Sequence, residues 1–260
     1  MCKTIFIGAR KGGVGKTMTA ASLGVGLARH GKRTLIIDAD SQYSLTLSLG
    51  IHDPDRLPIS LSTIMTNIIN ERGFDPADGI IHHSEGVDIL PANSSLTGIE
   101  LTLAPLIGRE TVLRQYIEKV KPMYEYILFD TPPTLDLVTI NALAAADSVI
   151  IPVAPKYLDA KGLELLLKSI AQIRRQINPT LSIDGILLTM TDCRTKLTRE
   201  VISSIENAYG NNLRIFSEHI PRSVRAAEST AQGASIFAHD PKGKVAAAYE
   251  SLVMEVLNCG

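Results

Sequence analysis

A chain of 260 residues, 45% of them hydrophobic, is long enough to bury a sizeable core as one α/β domain or two small ones. Its 26 basic and 27 acidic residues nearly cancel, which excludes a global field that recruits nucleic acid or anionic lipid, so any such binding rests on a local patch. Cys2, Cys193 and Cys259 lie far apart with no C-x-x-C spacing, and no apolar run reaches the roughly 18 residues of a membrane span.

The opening "MCKTIFIGAR" carries its apolar stretch into a glycine loop rather than a cleavage site, so it reads as a first strand, "TIFIG" (4–8), of a cytoplasmic chain with no membrane partner. A helix over 17–30 follows the loop. Further short apolar runs are "RTLIID" (33–38), "VDILPA" (87–92), "YILFD" (126–130), "SVIIPVAP" (148–155) and "IDGILLTM" (183–190). They show little internal alternation, as strands buried on both faces of a parallel sheet do. Helical segments lie between them, at 135–146 and at 158–177, where Leu158, Leu165, Leu166, Ile170 and Ile173 approach helical spacing. This alternation predicts an α/β fold, a doubly wound, mostly parallel sheet with helices on both faces. With no repeat or linker, one domain over 1–260 is expected, residues 50–85 forming an insertion or peripheral helical portion.

Near the end, Val245, Ala248, Tyr249, Leu252, Val253, Val256 and Leu257 form one apolar helical stripe. Its polar face carries Glu250 and Glu255 and no lysine cluster, so docking on the core is expected, not lipid binding.

Between first strand and first helix, "ARKGGVGKTMT" (9–19) fits the phosphate-loop pattern except at its front, where Arg10 replaces the leading glycine and an extra lysine, Lys11, follows. Gly12, Gly13 and Gly15, around Val14, clear space for backbone N–H groups of 12–17 to converge on phosphate at a helix N-terminus. Lys16 is placed for the β- and γ-phosphates, and the Thr17 hydroxyl for Mg²⁺. "YILFD" delivers Asp130 at a strand's carboxyl end, as a Walker B carboxylate is delivered. "LIIDADSQ" ends another strand with Asp38 and Asp40, two apart and so on one side of an extended chain. His82 and His83 read as a surface turn without ligand partners, and Cys193 as a buried or edge thiol. A basic set, Arg194, Lys196, Arg199, Arg222, Arg225, Lys242 and Lys244, gives a candidate DNA backbone patch, with Arg194, Arg222 and Arg225 at its centre. Met1 to Thr4 leaves no room for a helix-turn-helix ahead of the first strand, so sequence-specific repression is not expected.

"KGGVGKT" (11–17), "LIIDADSQ" (35–42), "DILPANSSLTGIELTL" (88–103) and "YEYILFDTPPTLDLVTINALAAADSVIIPV" (124–153) resemble the ParA/MinD family of deviant Walker A P-loop ATPases. "LLTMTDCRTKLTREV" (187–201) and "IPRSVRAAEST…GASIFAHDPKGKVAAAY" (220–249) resemble its ParA branch. The resemblance implies ATP and Mg²⁺ as ligands and a homodimer sandwiching ATP, in which Lys11 reaches the partner's phosphates as an arginine finger does. It implies a water-orienting role for Asp40, metal-side roles for Asp38 and Asp130 beside Thr17, and proximity of Pro221 to the adenine. It also implies non-specific DNA contacts by Arg194 and Arg225, nucleoid association of the ATP-bound form, and a ParB-like centromere-binding partner that stimulates hydrolysis. Met18 departs from the family's second threonine, and Ser41, Tyr43 and Ser44 from its usual Pro and Gly-Asn. Asp136 and Ala154-Pro155-Lys156 are also unusual. Rival readings are a MinD-like positioning ATPase, an ATP-dependent synthetase and a non-catalytic nucleotide-gated scaffold; nitrogenase-reductase-like electron transfer lacks its bridging cysteines.

Overall fold

The computed structural model describes residues 2–258, the side chains of 157–160 excepted, so Leu158 and Cys259 lie outside the described residues. The chain runs β1 (Lys3–Ile7), α1 (Lys16–Arg29), β2 (Thr34–Asp38), α2 (Ser44–Ser48), α3 (Leu61–Ile69), β3 (Ile81–His82) and β4 (Asp88–Leu90). It continues α4 (Leu96–Leu103), α5 (Val112–Val120), β5 (Tyr126–Asp130), α6 (Leu137–Ala145), β6 (Ser148–Val153), α7 (Tyr157–Gln176) and β7 (Ser182–Leu188). Four helices close it: α8 (Lys196–Tyr209), α9 (Val224–Ala231), α10 (Ile236–His239) and α11 (Lys244–Leu257).

The strands form one sheet in the order β3-β4-β2-β5-β1-β6-β7, parallel throughout except for the antiparallel edge strand β3. Alternate residues of each strand feed two cores. Ile127 and Phe129 of β5 enter one with Leu35, Ile37, Val149 and Ile151, whereas Leu128 enters the other with Ile5, Ile7, Ile36 and Ile150. Both faces are therefore apolar, which is why the strands read as unbroken hydrophobic runs.

The C-terminal stripe is buried as a docked helix requires, from Val245 through Val256. It closes on α1 where Gly26 has no side chain; a Cβ there would stand 2.4 Å from Val253 Cγ2. The Tyr249 hydroxyl meets the Thr19 hydroxyl at 3.2 Å in the same buried seam.

The segment 50–85 is not peripheral. Leu61, Ile64 and Met65 of α3 are fully buried in the first core, joined there by Leu96, Leu113 and Tyr116, so the segment supplies one of the layers covering the sheet. Leu61, Ile64, Met65 and Ile68 fall at i, i+3, i+4 and i+7 of a nine-residue helix, a period too short to stand out in the sequence. His82 belongs to strand β3 rather than a turn, and its Nδ1 lies 2.7 Å from Asp88 Oδ1 across the β3–β4 pair. Leu165 of the α7 stripe faces solvent, and Leu163 takes the buried place instead, packed with Leu166, Ile170 and Ile173. No helix among the described residues is long and apolar enough to cross a membrane.

Candidate nucleotide site

Register across the sheet assembles the site. Ile7 pairs with Asp130, and Asp130 pairs with Asp38, so β1, β5 and β2 end at one level. Adjacent strands lie about 4.8 Å apart, which sets the two carboxylates side by side at the edge where the glycine loop leaves β1. Both are buried.

The two differ in their hydrogen bonds. Asp38 is fully satisfied: Oδ1 accepts the Asp40 N–H at 3.1 Å, and Oδ2 accepts the Thr46 N–H at 2.8 Å and the Thr46 hydroxyl at 2.7 Å. Burial pushes its pKa up to about 6 against those stabilising bonds. No hydrogen bond of full geometry reaches either carboxylate oxygen of Asp130, although the Thr17 hydroxyl is close enough to act on it as a donor. Burial first, and then the neighbouring Asp38, hold its pKa well above the usual carboxylate range, while Thr17 and Lys16 act to lower it. A buried carboxylate short of donors costs several kcal/mol. Such a group suits a cation that arrives with a ligand.

The loop itself turns at Gly13 (φ 72) and Gly15 (φ 81), both in the left-handed region that favours glycine, and α1 begins at Lys16. Gly12 needs another explanation. Its φ is not left-handed, and a Cβ there would meet nothing within 4 Å, so no contact inside the chain demands glycine. Val14 is buried, and its carbonyl accepts the Thr189 hydroxyl at 2.8 Å, which ties the loop to the end of β7. Lys16 is buried, its Nζ donating to the Lys11 carbonyl at 3.2 Å. Burial lowers its pKa, with Asp130 and Asp40 pulling the other way. Lys11 is half-buried, its stem against α7 near Gly162.

Asp40 lies outside the strand, so the alternation argument does not apply to it. It occupies the turn after β2, partly exposed, where its Oδ1 accepts the Gln42 N–H at 2.9 Å. Among the described residues no group of three or more His, Cys, Asp or Glu could hold a metal alone. Thr17 and Asp130 fit a magnesium that keeps water and phosphate as its other ligands. Asp38 fits less well, because its lone pairs are committed to Thr46 and Asp40.

Beside the loop opens a cleft of about 1070 Å³, lined by Gly15, Met18, Thr189, Met190, Pro221 and Arg222 among others. Met18 is half-buried, and its sulfur accepts the Ser22 hydroxyl at 3.4 Å. Arg194 also lines this cleft, and both Arg194 and Arg222 are exposed. Arg225 is exposed on the first turn of α9, 3.1 Å from Glu228. Cys193 is neither buried nor at a strand edge; it is exposed in the loop before α8, at the cleft margin. Thr46, Thr189 and Met190 (φ 52) escaped the sequence reading, because each lies outside the phosphate motif and is brought to it only by packing.

A family model described as an AAA domain matches residues 2–183. The sporulation initiation inhibitor protein Soj of Bacillus subtilis is 40% identical over 98% of each chain. The chromosome partitioning protein ParA of Caulobacter vibrioides is 34% identical, over 98% of this chain and 94% of that one. Among solved structures, the cobyrinic acid a,c-diamide synthase of Mycobacterium smegmatis, with a bound ATP analogue and magnesium, superposes with a TM-score of 0.85 at 32% identity, covering 99% of this chain and 95% of that one. With the strand order, the double-glycine phosphate loop and full-length relatives in agreement, this chain belongs to the ParA/MinD family of Walker-type ATPases.

Proposed function

We propose that this protein is a partition-type ATPase switch acting through a single nucleotide-binding domain over the whole chain. The observation that carries this reading is the buried Asp130 carboxyl beside Thr17 and Lys16, which burial and Asp38 hold above the usual carboxylate range and which an arriving cation would favour in its charged form. Lys16 leaves the Lys11 carbonyl to bind the β- and γ-phosphates, helped by the N–H groups of residues 12–17. Magnesium, when bound, neutralises phosphate charge, and Thr17 and Asp130 are the residues that hold it, with Asp38 behind them. Asp40 orients the attacking water. Met18 and Pro221 border the nucleoside side of the cleft.

Gly12 supports a dimer. Nothing within the chain needs a glycine there, so the space serves a ligand or a partner, and a second copy of the loop packed face to face would use it alongside the phosphate. Each copy then lends Lys11 to the other's phosphates. The dimer so formed binds DNA without base readout through Arg194, Arg222 and Arg225. A ParB-like centromere-binding partner accelerates hydrolysis and releases the DNA, in a cytoplasmic cycle that visits the nucleoid. Soj and ParA, named for sporulation and chromosome partitioning, favour this assignment.

The synthase relative favours a second reading, an ATP-dependent ligation using the large cleft. Turnover that responds to DNA and partner, and to no small acid, separates the two. The DNA arm has its own test. Arg194→Glu with Arg225→Glu lowers ATP-dependent retention of plasmid DNA at least about tenfold, because two phosphate contacts become two repulsions. Retention equal to the parent's removes these arginines from the DNA surface.

A further inference from the structure

The ATPase reading leaves one buried polar junction without a role. Thr46 on α2 is fully buried, and its hydroxyl accepts the Ala92 N–H at 3.1 Å while donating to Asp38 Oδ2. A single side chain thus joins the end of β2, the start of α2 and the segment after β4. Without the hydroxyl, Ala92 N–H loses its acceptor and Asp38 loses a donor, both in places water does not reach.

Helix α2 is five residues long and lies between two left-handed residues, Tyr43 (φ 42) and Gly50 (φ 81). Past Gly50 the chain meets the end of α9. A Cβ on Gly233 would stand 2.6 Å from Gly50 Cα, and one on Gly50 would stand 3.2 Å from the Gly233 carbonyl oxygen. The two segments touch backbone to backbone, with no side chain between them to absorb a shift. Behind this contact Ser235 is fixed to Glu85, its N–H donating to Oε1 at 2.9 Å and its hydroxyl to Oε2. At its other end α9 exposes Val224 and Arg225 next to Pro221 and Arg222 of the cleft.

We propose that Thr46 is a positioning residue: it holds the Asp38–Asp40 loop for hydrolysis and, through α2 and the Gly50–Gly233 contact, sets the placement of the arginine-bearing helix α9. The hydrolytic half rests on the ATPase reading. Asp40 donates its N–H to the carboxylate that Thr46 holds, so a loosened Asp38 moves the water-orienting residue with it. The same loosening frees α2 from β4 and leaves α9 packed on a mobile neighbour.

Thr46→Val removes the hydroxyl at similar volume, and Thr46→Ser keeps it. In Thr46→Val, kcat for ATP falls about tenfold with KM within about twofold, and amide exchange of residues 224–231 in nucleotide-free protein quickens about tenfold. Thr46→Ser returns both to the parent's values. Unchanged kcat, a loss of ATP affinity equal to the loss of kcat, or unchanged exchange at 224–231 would overturn the proposal. Should Thr46→Val not fold, Gly233→Ala puts the same question from the far end, with the same kcat and KM split expected and unchanged kcat counting against. A parent chain without ATP turnover sinks the ATPase reading instead. The exchange comparison then decides alone, faster exchange supporting the placement of α9 by Thr46 and unchanged exchange refuting it.

Discussion

Lys11→Ala protein stays monomeric with ATP and magnesium and hydrolyses ATP about 10³-fold more slowly than the parent, while its monomer still binds nucleotide. The size of the effect is that of removing a cation supplied in trans to a phosphoryl-transfer site. Lys16 stands at the start of α1, buried and close enough to Asp130 and Asp40 to feel both charges. A second ammonium crowded into the same pocket would repel it. Lys11 instead lies along α7, its carbonyl accepting Lys16 Nζ. In the proposed dimer its side chain serves the partner's phosphates across the face where Gly12 and Gly13 stand exposed. Analytical ultracentrifugation with ATP, alongside phosphate release, checks both halves. A mutant that dimerises and turns over like the parent refutes the trans assignment.

Asp40→Ala separates assembly from hydrolysis. Turnover falls about 10²- to 10⁴-fold, the usual range for loss of a residue that handles the attacking water's proton or position, and the ATP-bound dimer accumulates. The fold survives, because Asp40 is partly exposed and its side chain accepts one loop N–H, from Gln42, worth about 1 kcal/mol. Asp38 makes the contrast. Both Thr46 donors to it are buried, so replacing it with alanine strands the Thr46 N–H and hydroxyl, frees the Asp40 N–H, and damages structure and chemistry together. Single-turnover release of labelled phosphate, with dimer lifetime measured in parallel, reports on Asp40 alone. Equal single-turnover rates in mutant and parent exclude the role.

The places of the site residues were legible in the sequence and long-range packing was not. The glycine loop, Lys16, Thr17 and Asp130 follow from backbone geometry and from the polar ends of apolar strands, both properties of a few neighbouring residues. The sheet followed for the same reason, since every strand but β3 carries a short apolar run. Asp38 and Asp40 show the limit. Two residues apart, they read as lying on one side of an extended chain, yet the strand stops at Asp38 and the next turn leaves Asp40 partly exposed. Thr46 was invisible because its meaning depends on Ala92, 46 positions away, and Gly50 because its partner is Gly233. The α3 segment looked peripheral since its helical period lasts only nine residues. His82 lacked a partner until the antiparallel pairing of β3 brought Asp88 across. The misses at Thr46 and Gly50 are contacts whose two halves are distant along the chain.

The central claim is that ATP joins two copies of this chain, and static light scattering on the unaltered protein tests it most directly. With magnesium and a slowly hydrolysed ATP analogue the account predicts twice the mass of one chain, and with ADP the mass of one. A single-chain mass at saturating analogue would contradict it.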